Sequence, residues 1–129
     1  MSNEKSKKSN GHNVYAKVKF RLTDRNIDNI MFGFLVSGFD KIEWVANVMP
    51  KGLRITEHLF QHITAGGTLI VQEAQTGKKY ELDKDSLLWG FRRYLENTIF
   101  FVGATPLLSQ YDVADKIIQY TIFKEVRYE

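Results

Sequence analysis

The chain has 129 residues, of which 43% are hydrophobic and 26% charged, with a net charge of +3 and no cysteine. This composition is typical of one globular domain with its own hydrophobic core, and it excludes disulfide scaffolds, thiol nucleophiles and cysteine-ligated metal sites. Because no apolar run reaches the roughly 18–20 residues of a membrane helix and no secretory signal pattern is present, we expect a cytoplasmic protein that does not enter a membrane.

The first thirteen residues differ in composition from the rest of the chain. Residues 1–13 contain three lysines against one glutamate, and they lack Val, Ile, Leu, Phe, Tyr and Trp. Such a segment cannot offset the entropy cost of ordering by burying apolar surface. We therefore predict a disordered basic tail over 1–13 and a single α+β domain over 14–129, with a net charge of only +1 left on that domain.

The alternation of apolar and polar residues over 14–22 predicts a strand. The polar face of this strand carries Lys17, Lys19 and Arg21. Such a basic row can contact nucleic-acid phosphates, or it can keep an edge strand from pairing with other chains. We favour the second interpretation, because no further positive charge lies nearby in the sequence.

The remaining pattern predicts an α+β fold, in which three to four helices pack on a small, mostly antiparallel sheet. Helices are indicated by apolar residues at helical spacing behind a capping residue, and strands by alternation. In chain order, the elements are a helix from Thr23 or Asp24 to Gly38, a strand over 42–49, a helix over roughly 56–65, a hairpin of 68–74 with 78–82, a helix from Asp83 or Asp85 to Glu96, a short strand at 98–102, a helix capped by Asp112 and a closing strand around Val126 and Tyr128.

Two histidines lie four residues apart in the second predicted helix. His58 and His62 would share one helix face, the spacing at which two imidazoles can bind one metal ion. The zinc-protease pattern requires Glu directly after the first histidine, where this chain has Leu59, and no third ligand is apparent. We therefore treat metal or small-ligand binding here as a minor alternative to a structural histidine, and we predict no cofactor.

Trp89, Arg92 and Arg93 lie opposite the apolar stripe of the third predicted helix. A tryptophan beside two arginines is a frequent composition of protein-interaction hot spots. Base stacking and intramolecular packing under the segment that follows are the alternatives. Exposed apolar residues such as Phe32 and the run 98–108 also favour a homodimer or partner interface.

No catalytic signature accompanies these residues. Ser37, Ser86 and Ser109 stand in no nucleophile motif, and the glycines at 66 and 67 lack the lysine of a phosphate-binding loop. The acidic residues near predicted helix starts are explained as caps. The sequence therefore predicts a protein that is not an enzyme.

Several stretches carry a resemblance to a known family. They are Asp24–Met31, Trp44, Gln61–Leu69, Gly90–Asn97 and Ala114–Phe123. In this order, over about residues 22–128, the chain resembles an uncharacterised family of small proteins encoded by phages and integrative mobile elements of Gram-positive bacteria. The resemblance implies an accessory protein of mobile DNA, a class whose members often bind and inhibit host defence proteins.

Three functions remain open from the sequence. The first is a non-enzymatic protein that binds a host protein through Trp89, Arg92 and Arg93. The second is a nucleic-acid-binding accessory protein that uses the basic strand face and the tail. The third is a small-ligand or metal-binding protein with a site near the two histidines.

Overall fold

The computed structural model describes residues 20–52, 58–98 and 107–129. Its sheet has three antiparallel strands in the order β1 (Val45–Pro50), β2 (Leu69–Glu73) and β3 (Lys79–Leu82). The hairpin between β2 and β3 is confirmed, and its turn contains Gly77 at φ +74°, a conformation that glycine adopts without steric cost. β1 begins later than the predicted strand over 42–49, and a bulge between Val45 and Asn47 interrupts its alternation.

Helix α1 (Asp24–Phe32) begins at a capping box formed by Thr23 and Asn26. The Asn26 amide donates to Thr23 Oγ1 over 3.2 Å, and the Thr23 amide donates to Asn26 Oδ1 over 2.9 Å. Past Phe32 the chain continues as a π-helical turn over Gly33–Ser37. A Cβ atom at Gly33 would lie 2.8 Å from the Ser109 carbonyl oxygen, so this position brings the turn close to the start of the last helix.

Helices α2 (Lys84–Glu96) and α3 (Tyr111–Phe123) pack on each other. Asp83 caps α2, as one of the two predicted alternatives. The predicted cap of α3 is wrong: Gln110 occupies the N-cap position without a side-chain hydrogen bond, and Asp112 lies in the first turn. An acidic side chain there is still favourable, because it faces the positive end of the helix dipole.

The α-helix predicted over roughly 56–65 is wrong where the structure describes it. Residues 58–66 form a 3-10 turn at Leu59–Gln61 followed by further turns. Hydrogen bonds over three residues join Gln61 N to the His58 carbonyl and Gly66 N to the Ile63 carbonyl. The segment ends at the glycine pair before a helix can propagate beyond its costly first turn.

Other predicted strands are also changed or lie outside the described ranges. Residues 20–22 are not in a strand, while 14–19 and most of the segment 98–102 fall outside the described residues. The closing strand predicted around Val126 and Tyr128 does not form: residues 124 and 125 are a bend, and 126–129 have no regular secondary structure. Instead, the Gln119 side chain accepts hydrogen bonds from the amides of Arg127 and Tyr128, both at 2.8 Å, and donates to the Tyr128 carbonyl.

The core lies between the sheet and the helices, so the fold is α+β and forms one small domain with three α-helices in its described part. None of the described helices is both long and apolar enough to cross a membrane. The largest fully buried apolar side chains are Ile27, Ile30, Met31, Ile63, Leu69, Leu82, Leu87, Ile117 and Ile118.

Candidate functional site

The predicted interaction residues form one exposed surface on α2. Trp89 retains 39% of its accessible area, and Arg92 and Arg93 extend beside it one turn further along the helix. Residues three and four apart share a helix face, so the three side chains lie together. Trp89 therefore does not pack into the described core, and the structure leaves its ring available at the surface.

Lys124 completes this surface, and the sequence analysis did not identify it. Its ammonium nitrogen lies 4.1 Å from the centroid of the Trp89 ring, and the Arg93 guanidinium lies 5.8 Å from the same centroid. Such distances allow cation–π attraction. Lys124 lies at the end of α3 with φ 67°, a left-handed conformation in which glycine is usual and lysine is strained.

The charge of this surface is unbalanced. Glu96 is the carboxylate that pairs with both arginines, at 3.5 Å from Arg92 Nε and 3.1 Å from Arg93 Nη1. Two cations, Arg93 and Lys124, therefore lie within cation–π range of the tryptophan, and Glu96 partly neutralises the arginines. We call the set Trp89, Arg92, Arg93, Glu96 and Lys124 the Trp89 surface.

The two helices can present this surface together because they approach closely at Gly90. A Cβ atom at Gly90 would lie 2.7 Å from Thr121 Cα, so any larger residue would push α2 away from α3. The Thr121 hydroxyl donates to the Ile117 carbonyl over 2.8 Å and is thereby satisfied inside the contact. This contact places the end of α3, with Lys124, beside Trp89.

The predicted basic row on the first strand lies mostly outside the described residues. Arg21 is exposed, whereas Lys17 and Lys19 lie outside the described residues. The structure therefore leaves the predicted phosphate contact untested.

The two histidines do not share a helix face. His58 is exposed and stacks on Phe60, with 5.5 Å between ring centroids, while His62 is fully buried. Gly67 lies directly against the His62 ring, leaving no space for a Cβ atom. Within the three described ranges, no group of three or more histidines and carboxylates is placed to hold a metal ion. The i, i+4 geometry expected for a shared metal is wrong, because the segment does not form an α-helix.

An apolar groove of about 650 Å³ lies on another part of the molecule. The π-helical turn forms one wall, β1 forms the other, and residues 58–60 close one end. We call it the β1 groove. Phe32 meets Phe60 edge to face in its wall, and Phe39 beside it is 85% exposed.

A buried carboxylate joins the C-terminal tail to the sheet. Glu73, at the end of β2, accepts hydrogen bonds from the hydroxyls of Tyr128, Thr76 and Tyr80, and Arg127 lies 3.6 Å away. The hydrogen bond from Tyr128 is the largest influence that lowers the pKa of Glu73, and burial opposes it. The carboxylate is therefore held in its charged form by its partners.

The pKa of Asp115 on α3 is shifted in the opposite direction from that of Glu73. It accepts a hydrogen bond of 2.6 Å from the Trp44 indole and one of 3.0 Å from the Gln119 amide. Burial nevertheless raises the pKa of Asp115 above its usual value. The Trp44 ring also stacks nearly parallel on Tyr128, so these contacts tie the tail to the core rather than form an open site.

No protein-family model, curated protein or solved structure matches the chain. A function therefore has to be inferred from its own surfaces. The Trp89 surface and the β1 groove are the two described features that combine exposed aromatic or apolar side chains with a defined shape.

Proposed function

We propose that this chain is a non-enzymatic accessory protein of a phage or mobile genetic element. In this proposal it acts in the cytoplasm by binding a host protein in a fixed ratio, with inhibition of host defence as the consequence. The phage context is supported by the resemblance of residues 22–128, and the binding role is supported by the Trp89 surface. The observation that carries the proposal is the half-exposed Trp89 ring, which Lys124 and Arg93 approach within cation–π range.

This arrangement suits an acidic protein surface. Tryptophan and arginine dominate binding energy at interfaces because they bury a large area and make directed hydrogen bonds. The arginines and Lys124 can attract carboxylates of a partner, and such complementary charge would speed association and fix its orientation. We expect the partner to place an apolar residue against Trp89 and carboxylates against the arginines.

A capture experiment with matched variants tests this proposal. The tagged chain is incubated with Gram-positive host lysate, with and without nuclease, and retained proteins are identified by mass spectrometry. We expect one discrete protein to survive nuclease, and we expect Trp89→Ala and Arg92→Glu to abolish its capture while the melting temperature stays nearly unchanged. Arg25→Glu makes the same charge change on the exposed side of α1 and should retain the protein.

The alternative function predicts a different result. If Lys17, Lys19 and Arg21 bind nucleic acid together with the tail, the recovered material is lost on nuclease treatment, and affinity falls steeply between about 50 and 200 mM salt. Capture that survives Arg92→Glu and Trp89→Ala would contradict a role for the Trp89 surface. A large loss of stability in Trp89→Ala would show that the tryptophan belongs to the fold instead.

A further inference from the structure

The two edges of the sheet differ in charge. In the part of the chain that the structure describes, β1 pairs only with β2, and β3 is the opposite edge. β3 carries Lys79 and Glu81, and Glu81 forms a 2.8 Å ion pair with Lys51. Charges on an edge strand are a common protection against pairing with other chains. β1, with the sequence VANVMP, contains no charged residue.

The register of β1 shows which of its backbone groups face away from β2. The Lys51 amide, directly after the strand, donates to the Thr68 carbonyl over 2.8 Å. Backbone groups of an antiparallel strand point alternately to its two sides. The amide and carbonyl of Val48 therefore point to the open edge, and so does Pro50, whose missing N–H removes one donor from that edge.

The β1 groove runs along this open edge. Residues 45–48 of β1 line it, although the bulge in this stretch breaks the alternation of the side chains. The register still places Asn47 and Val48 on different faces of the sheet, so the groove contacts both faces and reaches the edge of the strand. Across the groove, the π-helical turn supplies apolar side chains, including Phe34 and Val36. Among the described residues, its lining contains no Asp, Glu, Lys or Arg, and His58 is the one titratable side chain in it.

We propose that the β1 groove binds an extended, uncharged peptide segment of a protein partner as an added strand. The segment pairs through its backbone with the open edge at Val48, and its alternate apolar side chains pack against the π-helical turn. An edge strand facing an apolar helical wall provides both parts of strand addition: backbone hydrogen bonds for affinity and a side-chain surface for selectivity. Pro50 ends the pairing at one side, which limits the bound segment to a few residues.

The absence of charged side chains from the described part of the lining favours an uncharged segment. A Lys, Arg, Asp or Glu in the groove would lose water without meeting an opposite charge, which is unfavourable. Apolar and β-branched residues instead bury area against Phe34, Val36 and the strongly exposed Phe39. The proposal is independent of the Trp89 surface, because the two sets of residues do not overlap.

A random linear heptapeptide library displayed on phage provides the probe. The full chain is the bait, and Ala46→Lys, which places a charge at the groove edge, is the counter-selection bait. Ala74→Lys makes the same change at an exposed position outside the groove, and Leu107→Lys is the matched control for Phe39→Lys. Melting curves of all four variants establish that they are folded.

We expect enriched peptides without charged residues in their central positions and with alternating apolar side chains. A synthetic enriched peptide should lose at least about tenfold in affinity for Ala46→Lys and Phe39→Lys, and it should keep its affinity for Ala74→Lys and Leu107→Lys. Moving a single N-methyl group along the peptide should weaken binding about tenfold at every second residue, because alternate N–H groups face β1.

Three results would overturn the proposal. The first is a library without enrichment, and the second is enriched peptides that bind Ala46→Lys as well as the original chain. The third is N-methyl effects without a period of two, since apolar adsorption alone has no such period. Light scattering of the chain without peptide provides a further check: a dimer that Ala46→Lys dissociates would assign the groove to a second copy instead.

Discussion

The Trp89 surface and the β1 groove are opposites in composition and in construction. The first is aromatic and cationic, and its main residues come from one turn of α2. The second is apolar and uncharged, and it combines the π-helical turn, β1 and residues 58–60. The α2 part of the Trp89 surface is visible in the sequence because its residues lie at helical spacing. A groove built from three segments becomes visible only when those segments are brought together.

Glycine positions provide the strongest test of this contrast. Gly90→Ala should destabilise the chain by about 2 kcal/mol, because the added Cβ would lie 2.7 Å from the Thr121 backbone and neither helix can shift freely. The free energy of unfolding from urea titration measures this loss. We also expect Lys124, at the end of α3, to move away from the Trp89 ring when the added Cβ separates the two helices. An unchanged urea midpoint would show that α2 and α3 do not approach at this residue.

Gly38→Ala makes the same change beside the β1 groove and should cost less, about 1 kcal/mol. Its Cβ would meet the end of the flexible Ile42 side chain at 2.5 Å, and that side chain can move. The same urea titrations compare the two variants directly. A loss for Gly38→Ala that exceeds the loss for Gly90→Ala would contradict the different rigidity assigned to the two regions.

The free energy of unfolding should depend on pH through the ionisation of the buried Glu73. Because its pKa is lowered in the fold, the charged carboxylate contributes stability above its ordinary pKa of 4.5, and this contribution is lost as the pH falls through the folded-state value. Tyr128→Phe removes the largest cause of the lowered pKa. We expect the variant to be less stable than the original chain at pH 7, with a difference that shrinks in acid.

Urea titrations from pH 7 down to pH 3 measure this difference. Asp115 has the opposite dependence, because its raised pKa means that its contribution to stability falls as the pH rises. The original chain and Tyr128→Phe both retain Asp115, so its contribution largely cancels in the difference between their free energies of unfolding. A difference that stays constant with pH would show that Tyr128 acts through packing on Trp44 rather than through the carboxylate.

The smallest effect is expected at Lys124. Lys124→Gly relieves the left-handed strain but removes the cation over Trp89, and the two contributions of up to about 1 kcal/mol each oppose one another. Stability should therefore change little, while acrylamide quenching of Trp89 fluorescence rises. Lys124→Asn is the second variant, because asparagine also tolerates the left-handed conformation and likewise removes the cation. Unchanged quenching in both variants would contradict the contact.

Local signals predicted several parts of the fold correctly. The β2–β3 hairpin, the cap at Asp83 and the exposed group on α2 each depend on residues close together in the chain. The predicted helix over 56–65 failed because its apolar spacing also fits a 3-10 turn, and the nearby glycine pair favours the shorter structure. The histidine pair then lost the geometry on which the metal hypothesis depended.

Contacts between distant residues explain the remaining differences. Asp115 is one of the acidic residues near a predicted helix start that were explained as caps, yet it accepts a hydrogen bond from Trp44, 71 residues away. Lys124 has no local pattern that links it to Trp89, since the two lie on different helices. A sequence pattern predicts which side chains of an element are buried and where the element is capped, but it does not predict which residues of other elements contact its exposed side chains.

The sequence by itself determined the α+β class, the positions of α1, α2 and the hairpin, and the exposed group of Trp89, Arg92 and Arg93. These follow from hydrophobic periodicity, capping residues and turn glycines, which act over a few residues. The tertiary structure alone decided the place of Lys124, the role of Asp115, the burial of Glu73 and the β1 groove. Each of these depends on contacts between elements that are distant in the sequence, such as the close approach of α2 and α3 at Gly90 and the binding of the tail to Gln119.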